Sequence, residues 1–273
     1  MKFKKYFHKM KITSRNVNGI RAVLNKWFCE WITQDNPDIL CLQETKAFEN
    51  QIPIELKYTL RDYDYIRHTG TRPGYAGTTI FYKKDIQCIS ANNEFPGFSR
   101  FNEDGRVVEL TFKKDDLEIV LLNIYFPNGW TRADWTEMLS YKLDFYEDVI
   151  KYINSQRDEW KEIIVTWDFN ICHEAIDIAR PEENANSIWF LPIERAEMDK
   201  LQANWYTDVF RYLNPEATNK YTRWSYRAWA RPRNIWRRLD YFRVSKWILK
   251  SVQDMQHQEF VLWSDHCPIS LIF

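Results

Sequence analysis

Ile163-Ile164-Val165-Thr166-Trp167-Asp168-Phe169-Asn170 is an apolar run that ends in an acid and an amide. A short apolar run bounded by polar residues is typical of a buried strand. Ile39-Leu40-Cys41-Leu42-Gln43-Glu44 and Val261-Leu262-Trp263-Ser264-Asp265-His266 end in the same way. Acids and amides at the ends of several strands can meet at one rim of a sheet, and oxygen ligands of this kind suit Mg²⁺ and phosphate chemistry. The pattern indicates an enzyme that cleaves phosphodiesters.

Composition indicates a globular protein that buries a large core. The chain has 273 residues, of which 45% are hydrophobic and 16% aromatic, and we expect one domain over 11–273. Residues 1–10 are basic and lack the apolar core of a signal peptide, so we expect an extension there. No apolar run approaches the length of a membrane span. The five cysteines form no C-x-x-C pair, and we expect reduced thiols in a cytoplasmic protein.

The distribution of charge is more informative than its sum. Net charge is zero, with 38 basic and 38 acidic residues. Over residues 220–250, however, cations recur throughout and the only acid is Asp240. A charge run is often a solvated face. Here aromatic residues such as Tyr221 and Trp224 are interspersed with the cations, a mixture that favours a polyanion with bases that can stack.

Local patterns favour two packed sheets with helices outside them. Apolar runs over 107–112 and 117–125 are separated by a turn-like segment and predict a hairpin. Periodicity predicts helices over about 20–34 and 138–156, and Pro192 suits the first turn of another helix. Predicted strands outnumber predicted helices. The fold class that we expect is α/β, with two packed sheets flanked by helices.

Six short motifs occur in one order along the chain. They are Asn16-Val17-Asn18-Gly19-Ile20-Arg21, Leu42-Gln43-Glu44-Thr45-Lys46, Asn123-Ile124-Tyr125-Phe126-Pro127-Asn128-Gly129, Asp168-Phe169-Asn170, Arg238-Leu239-Asp240-Tyr241 and Ser264-Asp265-His266-Cys267-Pro268. Together they resemble the exonuclease III type of apurinic/apyrimidinic endonuclease, within the endonuclease/exonuclease/phosphatase superfamily. The resemblance covers roughly residues 11–273. It implies a four-layer α-β-β-α sandwich of two mixed sheets, with the active site at one edge of the paired sheets.

The resemblance also implies roles for individual residues. The metal ligands would be Asn16, Glu44 and Asp265, with Mg²⁺ as the cofactor and Mn²⁺ as a substitute. The catalytic residues would be Tyr125, Asp168, Asn170, Asp240 and His266. The contacts to substrate would come from Asn128, Asn184, Arg223, Arg237 and Leu239.

These roles are chemically consistent with one another. Asp168 would position or deprotonate the attacking water, and Asn170 would hold that water or a phosphate oxygen. His266, oriented by Asp240, would stabilise the charge that develops on a non-bridging oxygen. Tyr125 would contact the phosphate or assist the leaving group. A metal ion supplies Lewis-acid stabilisation of the same charge.

The expected activity is cleavage of the DNA backbone 5′ to an abasic site. The partner would be double-stranded DNA with abasic or 3′-blocked sites, bound by a monomer, and a 3′→5′ exonuclease or 3′-phosphodiesterase activity would accompany the endonuclease. Two alternatives remain open. One is a less specific nuclease or phosphatase of the same superfamily, and the other is a catalytically inactive DNA-binding homologue.

Residues beside these motifs depart from the family pattern in a systematic way. Tryptophan stands where the family has glycine at Trp27, Trp130, Trp160, Trp167, Trp189, Trp205, Trp229, Trp236 and Trp263. Arginine stands where the family favours an aromatic residue at Arg15, Arg67, Arg223 and Arg237. All seven glycines lie at or before Gly129, although average usage of about 7% would place roughly ten in the remainder of the chain.

This pattern leads to a hypothesis about decoding. The sequence would be a translation under the wrong genetic code, with UGA read as tryptophan where the source inserts glycine, and CGA or CGG read as arginine where the source inserts tryptophan. A diverged or inactive homologue is the alternative, but divergence should scatter substitutions among many residue types. The codons of the gene distinguish the two.

Overall fold

The structure is a computed structural model that describes residues 9–131, 137–226 and 229–273, except for the side chain of Trp167. Of the expected extension over 1–10, residues 1–8 lie outside the described part. Met10 exchanges backbone hydrogen bonds with Phe273 at 2.9 and 3.1 Å. The first strand begins at the next residue, Lys11.

One mixed sheet contains six of the described strands. They are β1 (Lys11–Asn16), β2 (Ile39–Gln43), β3 (Tyr63–His68), β4 (Thr78–Lys83), β11 (Asp254–His257) and β12 (Ile269–Ile272). Their spatial order is β11-β12-β1-β2-β4-β3. β1 and β2 are parallel, and the other pairs are antiparallel.

The second mixed sheet also contains six described strands. They are β5 (Gln87–Asn92), β6 (Val107–Lys114), β7 (Leu117–Tyr125), β8 (Glu162–Asp168), β9 (Thr207–Asp208) and β10 (Asp240–Val244). Their spatial order is β5-β6-β7-β8-β10-β9. β7 and β8 are parallel, and the other pairs are antiparallel.

The two sheets pack face to face and are covered outside by helices. Between them, Ile12 and Ile39 of the first sheet share one buried cluster with Leu121 and Ile164 of the second. Burying a side chain of this size stabilises a protein by about 1.5–3 kcal/mol. Because helices cover the outer faces, the central strands are buried on both sides, which explains the continuous apolar runs of β2 and β8.

The helices form the two outer layers and the connections. The first sheet is covered by α1 (Ile20–Leu24), α2 (Phe28–Asp35) and α3 (Ile54–Thr59). The second is covered by α4 (Ser99–Glu103), α5 (Leu139–Asp158) and α7 (Pro192–Ala203). The remaining helices are α6 (Pro181–Asn184), α8 (Val209–Leu213) and α9 (Lys246–Ser251), with 3₁₀ turns at Glu49–Gln51 and Ala175–Asp177. No helix of the described chain is both long enough and apolar enough to cross a membrane.

Most of the predicted elements are confirmed, including the four-layer order of helices, sheet, sheet and helices. β6 and β7 form the expected hairpin, α5 occupies the helical stretch expected over 138–156, and α7 begins at Pro192. The helix expected over 20–34 is wrong as a continuous element. Trp27 separates α1 from α2 with φ 66° and ψ 23°, a left-handed conformation that a right-handed helix cannot contain.

Candidate active site

Three predicted catalytic residues form one row across the second sheet. Tyr125 pairs with Asp168 across β7 and β8, and Asp168 pairs with Asp240 across β8 and β10. Directly opposed residues of neighbouring strands have Cβ atoms about 5 Å apart and point to the same face. The register alone therefore brings these three side chains together at one rim.

The first sheet contributes Asn16 and Glu44 to the same rim. Asn16 ends β1, and Glu44 directly follows β2. Nδ2 of Asn16 donates to Oε1 of Glu44 at 2.7 Å and to Oδ2 of Asp168 at 3.1 Å. This amide group connects the two sheets, so their packing fixes where the predicted base stands relative to the predicted metal ligand.

Asp265 is connected to Glu44 through two residues that sequence reasoning did not assign to the site. Nδ2 of Asn18 donates to Oδ1 of Asp265 at 3.1 Å, and Nζ of Lys46 donates to Oδ1 of Asn18 at 2.6 Å. The same ammonium group lies 2.7 Å from Oε2 of Glu44. Asn18 and Lys46 both lie within the motifs quoted above, each two residues after Asn16 or Glu44. This position in the sequence could have indicated that they belong to the site.

His266 is held between two carboxylates. Its Nδ1 lies 2.9 and 3.1 Å from the two oxygens of Asp240, and its Nε2 lies 3.6 Å from Oδ2 of Asp168. Burial disfavours the charged ring, but Asp240 and Asp168 outweigh it and raise the pKa of His266 to about 9. The imidazolium is therefore the prevailing form at neutral pH, and Nδ1–H donates to Asp240.

Asp168 has the properties of a general base that works near neutral pH. Burial raises the pKa of Asp168 to about 7, with His266 opposing the shift and Asp240 and Glu44 adding to it. A base is most effective when its pKa lies close to the working pH. The backbone N–H of Asn170 donates to Oδ1 of Asp168 at 3.0 Å and fixes the orientation of the carboxylate.

Asn170 and Tyr125 are both buried beside Asp168. Nδ2 of Asn170 donates to the Phe126 carbonyl at 2.9 Å. Burial raises the pKa of Tyr125 well above its ordinary value, so its hydroxyl stays protonated and can act as a donor. The guanidinium of Arg106 lies 4.9 Å from the Tyr125 ring centroid and donates to the Tyr125 carbonyl at 3.1 Å, which holds this end of β7 in place.

The predicted substrate residues lie around the site in different environments. Asn128 is exposed, and its Oδ1 accepts the backbone N–H of Trp130 at 3.0 Å. Asn184 is half-buried, and its Oδ1 accepts from Arg237 at 3.3 Å. Leu239 is fully buried and packs with the apolar cluster around Phe190. Its side chain lies beneath the cleft surface, and direct contact with substrate stays a prediction.

Arg223 and Arg237 stand beside His266, a predicted catalytic residue. Isolated bridges pair Arg223 with His266 and with Arg237, and Nη2 of Arg223 lies 3.3 Å from Oδ2 of Asp265. The Arg237 guanidinium lies 4.1 Å from the Trp189 ring and 4.7 Å from the Trp236 ring. Burial lowers the pKa of Arg237 to about 10.

The oxygen atoms at the rim fit a hard divalent cation. Glu44 and Asp265 provide carboxylates, Asn16 provides an amide oxygen, and Mg²⁺ prefers oxygen ligands of this kind. The Lys46 ammonium beside Glu44 shows that the rim already attracts positive charge. The Arg223 guanidinium occupies one face of the Asp265 carboxylate.

A second acidic cluster lies at His173, Glu174 and Asp199, whose potential ligand atoms are within 4.8 Å of one another. By spacing alone it could hold a metal. However, Nη2 of Arg243 contacts Nδ1 of His173 at 3.2 Å, and a guanidinium can only donate. The ring proton therefore sits on Nε2, which donates to Asp199 at 2.8 Å. This hydrogen bonding favours an ion-pair network over a metal site.

Comparisons with known proteins agree with this geometry. A model of the Endonuclease/Exonuclease/phosphatase family matches residues 16–266. The chain belongs to this family. An exodeoxyribonuclease of Bacillus subtilis (strain 168) is 34% identical over 265 residues, which cover 96% of this chain and 99% of that protein. A DNA-(apurinic or apyrimidinic site) endonuclease of Dictyostelium discoideum is 33% identical over 266 residues, covering 97% of this chain and 71% of that protein.

Solved structures lead to the same conclusion for the fold. An AP endonuclease from Leishmania major superposes with a TM-score of 0.83 at 26% identity, covering 97% of this chain and 87% of that one. An AP endonuclease from Archaeoglobus fulgidus gives 0.82 at 23% identity, covering 97% and 99%. The expected family and the expected enzyme class, a phosphodiester-cleaving nuclease of DNA repair, are thereby confirmed, and the family is metal-dependent.

Proposed function

We propose that the protein is a Mg²⁺-dependent endonuclease that cleaves DNA 5′ to an abasic site and leaves a 3′-hydroxyl. A 3′→5′ exonuclease or 3′-phosphodiesterase activity accompanies it. The observation that carries the proposal is the Asn16 amide, which donates to both Glu44 and Asp168. It places a buried base with a pKa of about 7 next to a carboxylate suited to a metal ion.

The proposed mechanism assigns one task to each side chain. Asp168, oriented by the Asn170 backbone, accepts a proton from the attacking water, a contribution of roughly 10²–10⁴-fold in comparable enzymes. His266 donates from Nε2 to a non-bridging phosphate oxygen while Asp240 holds its Nδ1–H. The Tyr125 hydroxyl donates to the phosphate or to the leaving oxygen.

Glu44, Asp265 and Asn16 would hold the metal ion at the rim. When bound, Mg²⁺ supplies Lewis-acid stabilisation of charge on the phosphate and the leaving oxygen. Mn²⁺, which also accepts oxygen ligands, is the expected substitute. Lys46 hydrogen-bonds to Asn18 and contacts Glu44, and so keeps this carboxylate oriented before the ion binds.

The proposed substrate is double-stranded DNA with an abasic or 3′-blocked site. The names of the relatives support this substrate class, since one is a DNA-(apurinic or apyrimidinic site) endonuclease and another an exodeoxyribonuclease. Asn128, Asn184, Arg223 and Arg237 are proposed contacts at the rim of the cleft, with Leu239 beneath them. A monomeric state, a cytoplasmic location and one domain over 11–273 complete the proposal.

One experiment separates this proposal from its alternatives. The purified protein is incubated with a duplex carrying one synthetic abasic site and with the matching intact duplex, each with Mg²⁺ or with EDTA. We expect Mg²⁺-dependent incision at the abasic site, with a product that a polymerase can extend, and no internal incision of the intact duplex. Equal cleavage of both duplexes would favour the less specific nuclease. Glu44→Ala should abolish cleavage, whereas Asp199→Asn, in the separate ion-pair network, should retain it.

A second candidate function is supported by one observation. The Arg223 guanidinium pairs with Asp265, a predicted metal ligand, at 3.3 Å. A cation fixed there competes with a metal ion and favours the catalytically inactive DNA-binding homologue. That alternative predicts binding of the abasic duplex without cleavage at any Mg²⁺ concentration.

A further inference from the structure

Tryptophan occupies backbone positions that normally require glycine. Fifteen described residues other than glycine have a positive φ, and five of them are tryptophans. They are Trp27, Trp160, Trp189, Trp205 and Trp229, with φ between 51° and 81°. Left-handed backbone is a place for glycine, asparagine or aspartate, and a bulky side chain there is an outlier. Six glycines take this conformation up to Gly129, and beyond that residue four of the eight described residues that take it are tryptophans.

Trp205 fills the glycine position of a helix C-terminus. Its backbone N–H donates to the Gln202 carbonyl at 3.0 Å, and the next N–H, of Tyr206, donates to the Leu201 carbonyl at 3.1 Å. This pair of bonds is the Schellman motif, whose left-handed residue is usually glycine. Trp160 follows the end of α5 in the same way, and its N–H donates to the Arg157 carbonyl at 2.9 Å.

The side chains of four of these tryptophans, at 27, 160, 205 and 229, are largely exposed. Trp160 is 94% exposed and Trp229 is 80% exposed, although large aromatic side chains are normally packed. Two other tryptophans behave as expected. Trp31 and Trp224 are buried, and their indole N–H groups donate to Gln258 at 2.8 Å and to Asn234 at 3.0 Å. The anomaly is therefore confined to one subset of the tryptophans.

Arg15 shows the complementary anomaly. It is 1% exposed, and its Nε, Nη1 and Nη2 find no hydrogen-bond partner among the described residues. Its guanidinium lies 5.3 Å from the Trp31 ring and 5.6 Å from the Trp263 ring. A buried cation is normally paired, as in Arg238, whose Nε and Nη2 donate to Asp177 and Asp208. The surroundings of Arg15 are those of an aromatic side chain.

Arginines without hydrogen-bond partners and tryptophans at positions where the family has glycine occur side by side in the cleft next to His266. Nη1 of Arg223 and of Arg237 are buried without a partner in the described chain, and so are the indole nitrogens of Trp189 and Trp236. The cations stack on those same rings, at 4.1 to 5.7 Å. Four unsatisfied donors in one small cluster are costly. Tryptophan at 223 and 237, with glycine at 189 and 236, would remove these four donors and introduce only two indole N–H groups.

We propose that the natural protein carries glycine at 27, 160, 189, 205 and 229 and tryptophan at 15, 223 and 237. The gene would then read UGA as glycine, and CGA or CGG as tryptophan. The same codon rule extends to Trp130, Trp167, Trp236 and Trp263. Arg67 is not assigned, because its guanidinium donates to Glu49 at 2.8 Å and to the Ala47 carbonyl at 2.6 Å.

The consequence for the cleft rests on the proposed function. Two indole rings replace two cations beside His266, and the loss of two large side chains at 189 and 236 opens space in front of them. Asp265 loses its guanidinium partner and becomes available to a metal ion. In the unaltered chain, arginine–tryptophan stacks fill this part of the site. In the recoded chain, an open apolar wall lies next to the oxygen ligands proposed for the metal ion.

The first test identifies the residues in the protein itself. The protein is isolated from its source organism, digested, and the peptides spanning 205, 223 and 229 are sequenced by mass spectrometry, with the Trp224 position as the internal control. We expect glycine at 205 and 229 and tryptophan at 223. Tryptophan at 205 and 229 would overturn the assignment, whatever the activity of the protein.

The second test separates the assignment from the proposed function. Synthetic genes express the unaltered chain and a recoded chain with glycine at the nine tryptophan positions named above and tryptophan at 15, 223 and 237. We expect the recoded chain to unfold at a higher temperature and to cleave abasic duplex at least tenfold faster. A recoded chain that is less stable than the unaltered chain contradicts the assignment. A recoded chain that is more stable but inactive with Mg²⁺ leaves the assignment standing and rejects the proposed function.

Discussion

Replacing Trp205 by glycine should stabilise the protein, even though it removes a large apolar side chain. Trp205 holds φ 70° at the end of α7 and is 68% exposed. Left-handed backbone costs about 1–2 kcal/mol for a residue with a Cβ atom. Glycine removes that cost but loses about 0.5–1 kcal/mol more conformational freedom on folding. The ring contacts Lys246 Nζ only distantly, at 5.9 Å, so little else is lost.

The net gain in free energy of unfolding lies between about 0 and 1.5 kcal/mol, and its middle value of ~0.75 kcal/mol corresponds to a rise in Tm of roughly 1.5–3 °C for a chain of this size. Thermal unfolding followed by circular dichroism measures it, with urea unfolding as the second readout. The matched control is Trp247→Gly. Trp247 is 60% exposed within α9 and lies 3.7 Å beneath Lys250 Nζ, so glycine there relieves no strain and should lower Tm. If Trp205→Gly lowers Tm as Trp247→Gly does, left-handed strain is the wrong explanation.

The remaining predictions concern the site and its support. Asp168→Asn should reduce cleavage of the abasic duplex by at least ~10²-fold while binding, measured by fluorescence anisotropy, is retained; equal loss of both would indicate misfolding. Asp240→Asn should lower the pKa of His266 from about 9. Because the imidazolium contributes below its pKa and is lost as pH rises through it, the alkaline limb of kcat/KM should move to lower pH, and an unchanged limb would exclude this pairing. Glu194→Ala should cost about 3–5 kcal/mol in urea unfolding, because the buried Lys142 ammonium loses its carboxylate at 2.5 Å; a cost below ~1 kcal/mol would mean that water reaches the ammonium. Chelation by EDTA should stop cleavage without changing the far-ultraviolet circular dichroism.

The parts of the fold that could be predicted from sequence are those in which the hydrophobicity of each residue indicates whether that residue is buried. Ile39-Leu40-Cys41-Leu42 is apolar throughout because β2 is covered on both faces. The β6–β7 hairpin follows from two apolar runs around a turn. For the site, the ends of β2 and β8 mark Glu44 and Asp168 without further information, because a polar residue that ends a buried strand must lie at its rim.

The parts that sequence did not reveal depend on contacts between distant segments. Nothing local indicates that the Asn16 amide crosses between sheets to Asp168, because this contact depends on how the two sheets stack. Lys46 lies two residues after Glu44, but its bond to Asn18 exists only because β1 and β2 are parallel neighbours. The break at Trp27 was missed for another reason. The helix over 20–34 was predicted from apolar periodicity, and tryptophan itself does not favour left-handed backbone, although the family has glycine at this position.

The basic run over 220–250 shows why charge along a sequence differs from charge on a surface. Arg238 and Arg243 are fully buried, and Arg238 is paired with Asp177 and Asp208, so neither can contact a phosphate. Among the residues of the run that the structure describes, the exposed cations are Lys220, Arg233, Lys246 and Lys250. If positions 223 and 237 are tryptophans, the run also loses the two cations nearest to His266.

Affinity for DNA would then come from the exposed lysines and Arg233 through salt-dependent phosphate contacts. The indoles beside the rim would act on the sugar and base through shape and stacking. The two contributions respond differently to salt, because only phosphate contacts release counterions. In the chain with tryptophan at 223 and 237, replacing either tryptophan should therefore alter the preference for abasic over intact duplex. The salt dependence of binding should not change.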